Sequence, residues 1–247
     1  MRNLTKVASL AFVLILWEGS SRLGLVDPMI LPSLSEALAS IGRNVHLLTV
    51  DAGYSLARAF AGLLIGSTVG VILGMLMARY EPVDRIFDPL VGALFPTPKL
   101  ALFPLLMVWL GLGEASKVAL IAISSFFPVL LNTYAGIKGV DRFLIWNARS
   151  KGASQIQLLY RVMLPAALPF IFTGFRVATS FSFLLVVAAE MLSSNSGLGY
   201  RIMYAQRTFE TETMYGALLI VACLGFIVDR LVGILGGRLL SWQDTAL

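Results

Sequence analysis

The 247 residues contain one cysteine and one histidine, and charged residues make up only 13% of the chain. Cys223, alone inside an apolar run, excludes an internal disulfide and a cysteine-rich metal site. His46, equally alone, leaves little for acid–base chemistry. No HExxH, no GxSxG and no Walker A glycine loop with its Lys occurs, and Asp88 reads as the only aspartate near a span interior. These absences speak against an intramembrane protease or hydrolase. Low-complexity tails and blocks of like charge are absent too. What is present is apolar: 57% hydrophobic residues and a mean hydropathy of +0.83. A soluble domain of this length carries far more charge, so residues 1–247 read as one integral membrane domain. The net charge of +5 then reports topology rather than a nucleic-acid partner.

Six apolar stretches are legible. Residues 4–17 follow Arg2 and Lys6 and extend to about residue 25 as a first span. A cleaved signal peptide is the other reading, against which no small-x-small site follows. Glu18 and Arg22 stand one helical turn apart and are expected to pair. Residues 27–48 form a surface piece in which Ser33 and Glu36 make a capping box and Leu34, Leu38, Ile41, Val45 and Leu48 form one apolar stripe. His46 falls here as an interfacial residue.

The second span, residues 54–78, carries Gly62, Gly66, Gly70 and Gly74 every four residues, a ridge that lets another helix approach closely. The third is interrupted by Pro96, Pro98 and Pro104, which rules out a continuous helix from Ile86 onward. Broken backbone at membrane depth belongs in protein or against a cavity, which makes Phe95 and Pro98 candidates for the pathway; a re-entrant or interfacial segment explains the break equally. Residues 113–117 read as a turn before the fourth span, 118–136. The fifth and sixth spans are 166–192 and 214–235, joined by a polar loop. Arg176 and Glu190 lie in the fifth span with Thr179 nearby, on one face but about 21 Å apart. Either they line a pathway or each reaches its own membrane boundary.

Between the fourth and fifth spans, residues 146–165 carry Arg149, Lys151 and Arg161 and no acidic residue. Gly152 can break the backbone between two short helices. Ser154 offers an N-cap for the second, in which Ile156, Leu159, Tyr160 and Met163 share a face. Pro165 suits the start of the next helix. A basic amphipathic helix pair between two spans is a docking element. With the amino terminus inside, eleven basic residues fall on the inner side and five on the outer, with Arg58, Lys99 and Arg176 inside spans. The positive-inside rule therefore puts this loop in the cytoplasm.

The loop resembles the "EAA" motif of ABC importer membrane subunits. Ala148, Gly152, Leu164 and Pro165 match in register, Val162 stands where Ile is usual, and Trp146 and Asn147 replace the leading Glu-Ala. Elsewhere LPS at residues 31–33, GMLMARY, PTPKLALFPLLMVWLGLGEASK, VAAEML and SGLGY follow in order. Together they resemble the permease subunits of the nitrate, sulfonate, taurine and bicarbonate group of type I ABC importers.

The resemblance implies an all-α integral membrane fold with six transmembrane helices per chain and a coupling loop at about residues 138–165. It implies a homodimer in a bacterial or archaeal inner membrane, two ATP-binding cassette ATPase subunits and an extracytoplasmic solute-binding protein. This chain would be non-catalytic and bind no cofactor or metal, ATP and Mg being held by the partner ATPase. Ala148, Gly152, Ala153, Ile156, Leu159 and Pro165 are the expected coupling contacts, with Arg149 and Lys151 adding charge complementarity. The solute is expected to be a small anion, for which Arg176 suits. Another importer subgroup, for a vitamin precursor or an amino acid, is the alternative, and an ATP-independent secondary transporter is a further one. The latter predicts an internal repeat of the two halves, and none is evident.

Overall fold

The computed structural model describes residues 2–240. In chain order its α-helices are α1 (Arg2–Arg22), α2 (Leu34–Arg43), α3 (Val45–Arg79), α4 (Glu81–Leu94), α5 (Phe103–Leu110), α6 (Glu114–Lys138), α7 (Arg142–Ser150), α8 (Gln155–Leu158), α9 (Leu164–Leu192), α10 (Leu198–Arg207) and α11 (Thr211–Leu239). A 3-10 turn, Lys99–Leu102, leads into α5, and a π turn, Leu159–Met163, joins α8 to α9.

Among the described residues, four helices are long and apolar enough to cross a membrane: α3, α6, the continuous run Gln155–Leu192, and α11. A fifth crossing follows if α4 and Lys99–Leu110 count as one broken span, bent by 96°. The bend sits where the prolines predict it. Pro96 and Pro98 occupy the break and Pro104 the first turn of α5, where its missing N–H costs nothing. Five of the six spans expected from the sequence correspond to these; the first falls on α1, which has the length of a span but not the hydropathy of one.

The chain divides into two compact units. One contains the residues up to Leu56 with Glu190–Leu224, the other Ala57–Ala189 with the stretch from Gly225 onward. In the first, Glu18 joins α1 to α2. It accepts from Arg22 Nε at 2.6 Å, as the sequence predicts, and also from Ser35 N at 3.1 Å and Ser35 Oγ at 2.9 Å. The Ser33–Glu36 capping box is formed, and the Ser33 hydroxyl and N–H hold the Glu36 carboxyl below its ordinary range. Trp17 Nε1 donates to Pro32 O at 2.9 Å and Tyr215 OH to Ile30 O at 3.1 Å, so two aromatics in tilted contact hold the loop before α2.

The surface helix is shorter than its apolar stripe suggests. It ends at Arg43, where Asn44 turns out of helical geometry and its side-chain amide bonds Ser40 O at 3.2 Å. Val45 and Leu48 therefore belong to α3. Inward-facing positions on α2 are Ala37 and Ser40, with Ser40 Oγ 3.2 Å from Thr213 Oγ1. The polar loop after the fifth span contains α10, and residues 114–117 form the first turn of α6 rather than a separate turn.

In the second unit α3 packs closely against α6. A Cβ at Gly62 would lie 2.5 Å from Ile121 Cβ, at Gly66 2.2 Å from Ala122 O, and at Gly70 and Gly74 2.7 Å from Phe126 O and Leu130 O. On its other side α6 meets α9, where a Cβ at Gly174 would stand 2.8 Å from Pro128 O. Half of the apolar stretch of α6 is buried, against 11% in α11, so α6 is the central helix of this unit and α11 keeps most of its surface open.

Candidate functional site

The loop that joins α6 to α9 lies wholly in the second unit. Asp141 caps α7 by accepting from Phe143 N at 2.8 Å. At the other end of α7 the chain leaves the helix through Gly152, whose φ of +79° lies in the left-handed region. Gly152 N donates to Arg149 O at 2.9 Å and Ala153 N to Ala148 O at 3.1 Å. This pair of bonds is a Schellman ending with glycine at the position that any other residue would strain. Ser154 then starts α8, and its capping box is completed by Gln157 in both directions. Three residues, Lys151, Gly152 and Ala153, therefore separate the end of one helix from the cap of the next.

The loop is fastened at its start and at the head of α8. Asp84 on α4 accepts from Tyr134 OH at 2.9 Å and Lys138 Nζ at 3.2 Å, and Arg79 Nη2 donates to Gln155 Oε1 at 2.7 Å. The π turn follows from Pro165: it lacks an N–H and its ring displaces the carbonyl four residues back. The turn widens, and Leu164 N reaches Leu159 O, five residues away.

What the loop presents is apolar and basic. Ile156 is 71% exposed, and Phe143, Trp146 and Tyr160 are also open, with the Phe143 and Trp146 rings packed edge to face at 5.6 Å. Arg149 and Lys151 are exposed beside them, while Ala148, Ala153 and Leu159 are half-buried. The shared face expected of residues 156–163 divides here. Leu158 is buried and anchors α8, Ile156 and Tyr160 point outward, and the π turn shifts the register between them. Sequence reading missed Phe143 and treated Trp146 only as a departure from a pattern. The signal was their spacing of three on a capped helix.

The candidate pathway residues fall in different surroundings. Phe95 is about half exposed and stacks with Phe127 at 6.1 Å, and Pro98 leads into the 3-10 turn. Thr179 is buried and bonds back to Phe175 O. Glu190 is 1% exposed in the first unit, where it accepts from Ser55 Oγ at 2.7 Å and Gly199 N at 3.0 Å. Asp51 completes this cluster, taking Gly197 N and Arg201 Nε, each at 2.8 Å. A Cβ on Gly197 would fall 2.4 Å from the Glu190 carboxylate, so the SGLGY loop closes directly over that side chain. Glu190 is thus buried near the end of α9 and clasps the start of α10.

Arg176 pairs with Asp229 on α11, Nε–Oδ1 3.1 Å and Nη2–Oδ2 3.2 Å. The reading that left Asp88 as the only aspartate near a span interior is therefore corrected: Asp229 lies well within α11.

With this architecture in view, the chain belongs to the family of binding-protein-dependent transport system inner membrane components, whose model matches residues 66–241. It is 34% identical over 242 residues to SsuC of Bacillus subtilis, named for aliphatic sulfonates transport (95% of this chain, 86% of that one). It is 32% identical to the taurine transport system permease TauC of Escherichia coli (96% and 89%). The formylaminopyrimidine transport permease ThiX of Halalkalibacterium halodurans is 31% identical (94% and 92%). Among solved structures, an inward-facing MetNI methionine ABC transporter chain superposes with a TM-score of 0.67 at 19% identity, covering 80% of this chain and 96% of that one. The chain is thus an ABC importer permease of a multi-pass membrane family.

Proposed function

We propose that this chain forms the solute pathway of an ATP-driven importer, as a homodimer bound to two ATPase subunits through residues 138–165. The observation that carries this reading is the loop itself. It is a capped helix pair hinged at Gly152, pinned at its start and at the head of α8, exposing aromatic and basic side chains together. Such a cluster has the composition of an interface centre, with aromatics and Arg prominent. ATP and Mg are bound by the partner subunits, and a solute-binding protein delivers from the opposite side. The loop and the amino terminus are cytoplasmic. Closure of the ATPases displaces the two short helices, and the close α3–α6–α9 packing carries that displacement into the spans.

The solute class best supported is a small sulfonate, given the names of the SsuC and TauC relatives, with nitrate- or bicarbonate-like oxyanions in the same group by motif resemblance alone. The ThiX relative supports a second reading, a different small solute on the same machinery. Gly152→Asp tests the mechanism. The Cβ site is open, so assembly is retained, while a side chain at positive φ strains the hinge by about 1 kcal/mol and puts a carboxylate into the contact. Uptake in cells is expected to fall with unchanged membrane levels of the chain and its ATPase. Normal uptake would remove the hinge from the mechanism.

A further inference from the structure

The Arg176–Asp229 pair sits deep in two long apolar helices and is open. Arg176 lies about 18 Å along α9 from Leu164, and Asp229 about 15 Å from the Leu239 end of α11, by helical rise. Their side chains remain 55% and 47% exposed. An ion pair at that depth is not tolerated against hydrocarbon, so this face meets water or protein. The surface of α9 around it is divided lengthwise. Thr173 and Ser180, three residues before and four after Arg176, are exposed on its side, while Val177 and Phe181 form an apolar edge beside them. Both hydroxyls donate back into the helix, to Pro169 O at 2.9 Å and Arg176 O at 3.5 Å, which leaves their oxygen lone pairs outward and the rotors able to turn.

We propose that Arg176, Asp229 and these two hydroxyls form a solute subsite that selects a zwitterion, an anionic oxyacid group with an ammonium a few bonds away, over a simple anion. This rests on the importer reading and narrows its substrate class. The guanidinium offers a planar fork for the oxyacid group, and the Asp229 carboxylate takes the ammonium. Each protein charge then trades one opposite partner for another, and none is stranded. A simple anion could take Arg176 only by leaving Asp229 unpaired at membrane depth or by crowding a second negative charge beside it, both costly there. Because one ion pair is broken for every two formed, net binding is weak, as a site that must release its solute requires.

The test uses the full-length chain in lipid nanodiscs with Cys223→Ser, the native thiol being exposed. Val177→Cys and Phe181→Cys, on the exposed apolar edge beside the subsite, are introduced singly, and their rate of modification by a charged, membrane-impermeant methanethiosulfonate is measured. The probes are taurine (zwitterion), ethanesulfonate (anion) and ethylammonium (cation). Both cysteines are expected to react. Saturating taurine should slow them about tenfold, and the two single-charge probes less than about twofold, one ion pair being the difference. Asp229→Asn should abolish protection by taurine and admit ethanesulfonate, while Asp229→Glu should retain the taurine effect. No modification, meaning the face is sealed by lipid or by a second copy, overturns the proposal. So does equal protection by taurine and ethanesulfonate, or none. The ATPase content of the same preparation is scored separately. Failure here with the ATPase bound counts against the subsite alone, and taurine protection without any ATPase counts against the importer reading alone.

Discussion

Lys99 uses all three of its ammonium donors on its own backbone. Its Nζ lies 3.2 Å from Leu94 O, 2.7 Å from Phe95 O and 2.8 Å from Thr97 O, and 4.8 Å above the Phe127 ring. Leu94 O and Phe95 O lie at the C-terminal end of α4, where a cation is favoured by the helix dipole, and Thr97 O lies in the break beyond it. With its donors committed, Lys99 holds the 96° bend and has none left for a passing anion. Lys99→Met should therefore lower stability by about 1–3 kcal/mol, the cost of orphaned acceptors, read as a lower melting temperature in detergent. An unchanged melting temperature would mean that Pro96 and Pro98 hold the bend alone. The sequence showed the prolines and thus the break, but not the clasp. A lysine bonding carbonyls two to five residues back leaves no periodic trace. Glu190 is the same lesson over a longer range: its partner Ser55 is 135 residues away, so burial was invisible and a pathway role was inferred instead.

Among the elements, the α3–α6 contact was the most legible, because four glycines at a spacing of four can only form one ridge. Its energetic consequence is specific to position. Gly66→Ala puts a methyl 2.2 Å from a backbone carbonyl that cannot rotate away, so the helices must separate, at a cost of about 1–3 kcal/mol. Gly53→Ala on the same helix meets nothing within 4 Å and should be neutral or stabilise by up to about 1 kcal/mol, since Ala is the better helix former. Thermal unfolding of the two variants side by side checks this; equal melting temperatures would show that α3 and α6 part without cost. The boundary of α2 was less legible. Its apolar stripe continues unbroken across Asn44, and only the side-chain bond to Ser40 O reveals that the helix stops there. In the loop, Gly152 and Ser154 were readable as break and cap. The outward turn of Ile156 and Tyr160 was not, because it depends on a π turn that helical periodicity does not anticipate.

At the scale of the molecule, the proposed mechanism assigns the long apolar helices to the passage and the hinged, basic, aromatic loop to receiving the force. The family membership accounts for the helices, and the importer reading stands on the loop. The most direct measurement is a mild-detergent pull-down of the tagged chain with the co-purifying proteins identified, alongside a Trp146→Asp/Ile156→Asp variant. The account predicts an ATPase with a Walker motif at equal stoichiometry with the wild-type chain. The variant should lose it at least about tenfold, as expected when two central interface residues are replaced by charge. A chain that purifies without an ATPase, and still moves solute into liposomes without ATP, would contradict the account and make this permease a secondary transporter.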